Sequence, residues 1–224
     1  NLNNAGNLAQ FLASDVYWGE FNLSVAADAA PRRGLIDSDS NWLSNWLLLE
    51  RVLWRLRNRQ KGIKLNLLNA DSRLLEPVLE LLHRYRFGGL NLWLNASTDH
   101  FKKRDFRQLV IEFPGAVVQT PIDSLAPLIV GNPTEARRYL QTIQTWGVNR
   151  FGLSWHTPDL RRLFDKLATW GFEVDVYDVV ELEPFLRAVL LNPTSITTTF
   201  NFPEWSYYGV DTDQYADEEL VLVS

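Results

Sequence analysis

Short apolar segments alternate with longer amphipathic segments along most of the chain. The amphipathic segments carry apolar residues at spacings of three and four, which is the period of a helix that buries one face. A glycine stands at five of the junctions between the two kinds of segment, where helices commonly end; these are Gly62, Gly88, Gly115, Gly147 and Gly171. The repeated order of helix, glycine and strand predicts βα units on a parallel sheet.

The pattern provides eight strand positions with helices between them. A truncated or atypical first strand is expected near residues 1–4, and seven further strands at 16–25, 63–68, 90–95, 116–120, 150–156, 172–178 and 195–200. We therefore predict an α/β fold, a (β/α)8 TIM barrel over residues 1–203, followed by an acidic and aromatic tail, 204–224. An open doubly wound sheet is the alternative, but the chain lacks the glycine-rich phosphate turn that usually accompanies that fold.

Composition narrows the classes of function. The chain of 224 residues has no cysteine, which excludes thiol catalysis, cysteine metal sites and disulfides. A net charge of −5 argues against a nucleic-acid partner, and no apolar run approaches the roughly 20 residues of a transmembrane helix. Methionine is also absent, so the sequence leaves open the possibility that a targeting peptide has been removed. We expect a soluble protein; the sequence does not identify its compartment, although the cytoplasm is slightly favoured.

Polar residues occur near the carboxyl ends of the predicted strands, where TIM barrels build their active sites. Strand alternation puts Glu20 with Asn22, and Lys64 with Asn66, on common faces. Most of the polar residues at these strand ends are amides or hydroxyls, which do not titrate near neutral pH and are unusual for the active site of an enzyme. The candidate pocket residues are Asn4, Glu20, Asn22, Asp28, Lys64, Asn66, Asn95, His156 and Asp178.

Several short segments carry a resemblance to a known family. They are Asn4–Asn7 (family His-Ala-Val-Asn), Glu20–Leu23 (Glu-Ala-Asp-Val), Ala27-Asp28 with Pro31 (Ala-His-Pro-Pro), Lys61–Asn66 (KGIKLD in the family), Leu94–Ala96, Phe113-Pro114 and the final strand with its exit, Ser195–Trp205. On these segments the chain resembles the menorin family, within the glycerophosphodiester phosphodiesterase-like TIM barrels. The resemblance spans nearly the whole chain and implies the same barrel.

The departures from the family pattern concern its catalytic positions. The resemblance implies two histidines as general acid and base and three carboxylates around a divalent cation. Here the histidine positions hold Asn4 and Asp28, and of the carboxylate positions only Glu20 is retained, beside Asn22 and Asn66. An asparagine cannot exchange a proton near neutral pH, and hard cations depend on anionic oxygen ligands. We therefore expect a pseudoenzyme without a cofactor, acting as a binding or structural subunit of a larger assembly.

Two other functions stay open. One is a Ca²⁺- or Mg²⁺-dependent phosphodiesterase or lyase with relocated chemistry, using Glu20, Asp28, His156 and Asp178. The other is a small-molecule or lipid carrier that uses the amide-rich mouth as a neutral pocket. For Glu20 an ion pair with Lys64 is the favoured alternative to a role as a remnant metal ligand.

Two segments are candidate surfaces for a protein partner. The first is a basic helix over residues 51–61, although cations near the C-terminus of a helix also have a purely structural explanation in the helix dipole. The second is the tail, 204–224, whose tyrosines and tryptophan are residue types enriched at interfaces.

Overall fold

The computed structural model of the protein describes residues 2, 5–25, 35–36, 49–67 and 72–198. The strands are β1 Trp18–Val25, β2 Leu35–Ile36, β3 Gly62–Leu67, β4 Leu92–Ala96, β5 Val117–Pro121, β6 Arg150–Ser154, β7 Glu173–Val179 and β8 Ser195–Thr198. The helices are α1 Ala5–Ala13, α2 Leu49–Asn58, α3 Ser72–Arg84, α4 Lys103–Glu112, α5 Ala126–Gly131, α6 Pro133–Gln144, α7 Leu160–Thr169 and α8 Leu182–Val189.

The strands form one sheet in the order β2-β1-β3-β4-β5-β6-β7-β8. Seven of them, β1 and β3–β8, are parallel and follow one another in chain order, while β2 pairs antiparallel with β1 at the edge. Side chains of β3 contact side chains of β7 and β8 across the interior, so the sheet curls into a barrel. The predicted α/β fold of TIM-barrel type is confirmed.

The position of the first barrel strand is marked by a single residue. The backbone N–H of Leu2 donates to the carbonyl oxygen of Glu20 at 3.0 Å, so Leu2 lies alongside β1. Residues 1, 3 and 4 lie outside the described part of the chain, as do 199–224, which contain the predicted tail. The structure therefore does not test the division at residue 203.

Alternation along the strands separates an apolar outer layer from a polar interior. The outward side chains of β1 and β3, such as Phe21 and Leu65, are fully buried against the helices. The inward side chains of the same strands are Glu20, Asn22, Lys64 and Asn66, and they face the barrel axis. The hydrophobic core therefore lies between sheet and helices, and the interior is left for polar groups.

The predicted end of the sixth strand is wrong. Strand β6 ends at Ser154, two residues before the predicted end at His156, because the chain turns there.

Gly147 illustrates why a glycine follows the helix at one of these junctions. Its φ is +110°, a conformation that side-chain-bearing residues rarely adopt. A Cβ at this position would also collide with a methyl group of Val110 on α4. Both the backbone conformation and the close approach of α4 therefore require glycine.

We predict that Gly147→Ala lowers the free energy of unfolding by about 2–4 kcal/mol, because strain and overpacking add. The matched control is Gly131→Ala, at the end of α5, where an added Cβ meets no atom within 4 Å and φ is not positive. That variant should change stability by less than about 1 kcal/mol. Urea unfolding followed by circular dichroism measures both; equal losses in the two variants would contradict this explanation.

Candidate functional site

A buried lysine occupies the centre of the barrel interior. The ammonium of Lys64 on β3 donates to Asp175 Oδ2 at 2.9 Å and to Thr197 Oγ1 at 2.6 Å, and it lies 3.2 Å from Glu20 Oε2. Lys64 is 1% exposed and Asp175 is fully buried. The ion pair predicted between Glu20 and Lys64 forms, and Asp175 makes a second one.

The cluster keeps Lys64 charged. Burial alone would lower the pKa of the Lys64 ammonium, but the carboxylates of Asp175 and Glu20 outweigh it and raise the pKa above its ordinary value. The ammonium also lies 4.5 Å from the centre of the Trp93 ring, a cation–π contact. A lysine that stays protonated is not a nucleophile, so Lys64 acts here as a fixed cation.

Asp175 is held by neutral donors as well as by Lys64. Ser195 Oγ donates to its Oδ1 at 2.7 Å, and Gln119 Nε2 donates to its Oδ2 at 3.2 Å. These contacts come from the nearby strands β5 and β8, while the contact with Lys64 on β3 reaches across the barrel. We did not predict this residue; the alternation Glu173, Asp175, Tyr177 along β7 carries the signal, since it places Asp175 inward.

A ladder of three amides lies one step nearer the mouth, the carboxyl ends of the strands. Asn22, Asn66 and Asn95 are register partners on β1, β3 and β4. Asn66 Nδ2 donates to Asn22 Oδ1 at 2.7 Å, and Asn95 Nδ2 donates to Asn66 Oδ1 at 2.8 Å. Three of the predicted pocket residues are thus brought together, and they satisfy one another instead of presenting charge.

Some acceptors near the ladder lack a donor. Within the part of the chain that the structure describes, the buried Asn95 Oδ1 and Gln119 Oε1 have no hydrogen-bond partner. Asn95 and Gln119 are register partners on β4 and β5. A buried carbonyl oxygen without a donor is costly, so these atoms are suited to a bound water or a ligand that donates hydrogen bonds.

A second polar cluster joins the loop that follows β5 to strand β7, to the end of β6 and to the turn after β6. Asp123 accepts hydrogen bonds from Tyr177 Oη, from Thr157 Oγ1 and, at 2.7 Å, from the backbone N–H of Ser154. Burial, and next the carboxylate of Asp123, raise the pKa of Tyr177. Neither Asp123 nor Tyr177 was predicted from the sequence; Asp123 holds the loop after β5 against β7, the end of β6 and the turn after β6.

The remaining candidates lie elsewhere. His156 is exposed in the turn after β6 instead of on the strand, and its backbone N–H donates to Ser154 Oγ at 3.2 Å. Asp178 is exposed at a φ of +60°, beside a register shift between β7 and β8, and it accepts from Ser154 Oγ at 2.9 Å. Asn4 and Asp28 lie outside the described residues.

The donor set does not fit a divalent cation. Among residues 2, 5–25, 35–36, 49–67 and 72–198, no group of three or more histidine or acidic side chains is arranged to hold a metal ion. Glu20 is beside an ammonium, and Asn22 and Asn66 are engaged in the amide ladder. Calcium and magnesium sites need several free, mostly anionic oxygen ligands, which these residues do not offer.

One cation of the basic segment 51–61 does not lie at the surface. Lys61 is buried beyond the end of α2, where its ammonium donates to the carbonyl oxygens of Ser14 and Val16, each at 2.5 Å. It therefore fastens the end of α1 instead of facing a partner. The surface cations of this region are the arginines of α2 and its C-terminal turn.

Comparison with solved structures finds the same barrel in phosphodiesterases. An Oleispira antarctica phosphodiesterase in complex with sn-glycerol-3-phosphate superposes with a TM-score of 0.66 at 10% identity, covering 94% of this chain and 91% of that chain. Glycerophosphodiester phosphodiesterases from Parabacteroides distasonis (TM-score 0.64, 12% identity, 92% and 89% covered) and Thermotoga maritima (0.59, 13%, 88% and 87%) match as well. At these identities the likeness shows the fold alone.

No protein-family model matches the sequence, and the comparison with curated proteins finds no match either. The described helices also include none that is long and apolar enough to cross a membrane. The barrel fold is therefore shared with these structures, while the resemblance to the menorin family and its superfamily stays a prediction.

The raised pKa of Tyr177 predicts a pH dependence of stability. An unfolded tyrosine loses its proton near pH 10.0, whereas folded Tyr177 keeps its proton. The contribution of Tyr177 to the free energy of unfolding is therefore complete below pH 10 and is lost as the pH rises further. Tyr177→Phe should therefore make the decline of unfolding free energy between pH 9 and 11 shallower. The control Tyr139→Phe, on the exposed surface of α6, should leave that decline unchanged, as measured by urea unfolding at each pH.

Proposed function

We propose that this chain is a catalytically degenerate phosphodiesterase-like barrel, of menorin type, that serves as a binding or structural subunit of a larger assembly. The observation that carries the proposal is the chemistry of the interior. The one carboxylate at a matching ligand position, Glu20, is committed to Lys64, and the other two positions, Asn22 and Asn66, are paired amides.

The charge balance supports binding over hydrolysis. A phosphodiesterase of the superfamily type needs a cation to stabilise developing negative charge and a titratable group to move protons. In the described interior the fixed cation is Lys64, whose carboxylate neighbours keep it protonated and occupied. Neither Lys64 nor the amides can serve as a general base near neutral pH.

The mouth supports a ligand that donates hydrogen bonds. The unpaired oxygens of Asn95 and Gln119 accept, and the surrounding amides carry no charge. An uncharged compound with several hydroxyl groups suits such a surface, because each hydroxyl can satisfy one buried acceptor. A protein that binds such a compound without reacting with it would act as a small-molecule carrier.

The second candidate function is a metal-dependent phosphodiesterase or lyase acting on a glycerophosphodiester-like substrate. It is favoured by the fold, which the chain shares with phosphodiesterases of several bacteria, and by the retained Glu20. This alternative would use Glu20, Asp28, His156 and Asp178 together with a bound Ca²⁺ or Mg²⁺.

We predict that purified protein hydrolyses glycerophosphodiesters and bis(4-nitrophenyl) phosphate at the background rate with Ca²⁺ or Mg²⁺ present, because the carboxylates of Glu20 and Asp175 are paired with Lys64 and the described residues contain no cation site. Rates should be the same for wild type, for Glu20→Gln and after chelation with EDTA. A divalent-dependent rate that Glu20→Gln abolishes would overturn the proposal in favour of the enzyme.

Binding needs a separate measurement, because absence of hydrolysis does not establish it. Saturation-transfer NMR with a panel of uncharged polyols reports contact at the mouth, and Asn95→Leu should remove the signal while Asn58→Leu on the exposed end of α2 should keep it. Signals that are absent from wild type, or equal in both variants, would contradict an amide-lined ligand site.

A further inference from the structure

Helix α6 and the C-terminal end of α7 border an open groove in the outer layer of the barrel. The groove has a volume of about 540 Å³. Trp170, the residue after α7, contributes its indole, and α6 contributes two arginines. We call this space the tryptophan groove; its lining residues are Pro133, Thr134, Arg137, Arg138, Gln141 and Trp170.

One face of α6 supplies the positive charge of the tryptophan groove. Thr134, Arg137, Arg138 and Gln141 follow one another at spacings of three, one and three residues, which places them on the same side of the helix. All four side chains are exposed. The guanidinium groups of Arg137 and Arg138 are therefore presented to the same groove, beside the indole.

These two arginines have no anionic partner among residues 2, 5–25, 35–36, 49–67 and 72–198. Glu135, the acid nearest to them along α6, instead accepts a hydrogen bond from Asn132 Nδ2 at 2.8 Å. The helix dipole does not explain them either, because it favours cations in the last turn of a helix, where α6 has none. Their charge is thus left for a partner.

Two other grooves of the outer layer have a different composition. The groove beside α4 has three cations, but Glu76 also lines it and its described lining has no aromatic ring. The groove along α7 contains Asp159 and Asp165, and Asp165 is paired with Arg161 at 3.1 Å. Of these three described grooves, the tryptophan groove alone combines cations with an aromatic ring and no acid.

The indole of Trp170 is held in place by the hydrophobic core. Its ring packs edge-on against Phe172, with the ring centres 6.1 Å apart and an angle of 84° between the planes. Phe172 packs in the same way against Phe151 on β6, at 5.1 Å and 82°. Trp170 is nevertheless only half-buried. The groove therefore presents a fixed aromatic surface, which a partner can contact at little cost in conformational entropy.

The chemistry of the groove indicates the kind of partner. Guanidinium groups pair with carboxylates and stack on aromatic rings, and an indole also packs well against a second aromatic ring. The whole chain has a net charge of −5, so an acidic partner is attracted by this local arrangement and not by the overall charge.

We propose that the tryptophan groove binds a segment of a partner protein in which an aromatic residue is flanked by acidic residues. Carboxylates of the segment pair with Arg137 and Arg138, and its aromatic ring packs against Trp170. The inference rests on the proposed function as a binding subunit, and it gives that function a surface and a partner chemistry.

Peptide titration of the full chain tests the proposal. The probe is the blocked peptide Gly-Glu-Trp-Glu-Gly; one companion peptide has leucine in place of tryptophan, and the other has glutamine in place of both glutamates. The readout is the set of indole N–H signals from the nine tryptophans of the isotope-labelled protein, in which Trp170→Phe identifies the signal of Trp170. We expect the probe to shift this signal and to bind about two- to fivefold more tightly than either companion, because each companion loses one kind of contact.

Charge variants connect the binding to the groove. Arg137→Gln with Arg138→Gln should raise the Kd of the probe about fourfold, at ~2-fold for each exposed ion pair. The matched control is Arg57→Gln with Arg59→Gln, two exposed arginines of α2 and the turn after it, and it should leave the Kd unchanged. Circular dichroism checks that both variants fold.

Three outcomes would overturn the proposal. The first is a Trp170 signal that does not shift, or an equal effect of the groove and control variants. The second is equal binding of the leucine companion, which would make the groove a site for any anion. The third is self-association in sedimentation velocity that Arg137→Gln with Arg138→Gln abolishes, which would assign the groove to a second copy of the chain.

The result is separable from the proposed loss of catalysis. Hydrolysis at the background rate tests the degenerate interior, which lies on the other side of the sheet from the tryptophan groove. A failed peptide titration with background hydrolysis would remove only the groove, whereas divalent-dependent hydrolysis would remove the proposed function whatever the peptides do.

Discussion

The interior of this barrel depends on one buried ammonium. Lys64 on β3 reaches across to Asp175 on β7 and Thr197 on β8, and it holds Glu20 on β1. Removing one partner of such a cluster would leave an uncompensated buried charge, which typically costs about 3–5 kcal/mol. The pairing therefore fixes the geometry of opposite walls and engages the carboxylate of Glu20.

The fold could be predicted because local signals agree with one another. Glycines at helix ends, apolar periodicity and strand alternation each indicate βα units, and seven parallel strands in chain order confirm them. Part of the amide ladder could also be predicted, because Asn22 and Asn66 occupy inward-facing positions on their strands. Alternation alone places them on a common face of the sheet.

The parts of the site that were missed depend on contacts distant in sequence. Asp175 was overlooked because its role comes from Lys64, 111 residues away along the chain. The hydrogen bond between Asp123, in the loop after β5, and Tyr177 on β7 joins residues 54 positions apart, which no local pattern reveals. His156 was misplaced because β6 ends two residues earlier than its apolar run suggested, and Lys61 because its carbonyl partners belong to a distant helix end.

In this barrel the buried ammonium of Lys64 and the carboxylates of Asp175 and Glu20 neutralise one another, and neutral amides lie between this cluster and the mouth. Calorimetric titration with Ca²⁺ tests this most directly, comparing wild type with a variant that restores two carboxylates, Asn22→Asp with Asn66→Asp. We predict no saturable binding by wild type at millimolar Ca²⁺ and measurable binding by the variant, because hard cations require anionic oxygen ligands. Stoichiometric micromolar binding by wild type that is lost in Glu20→Gln would contradict the account.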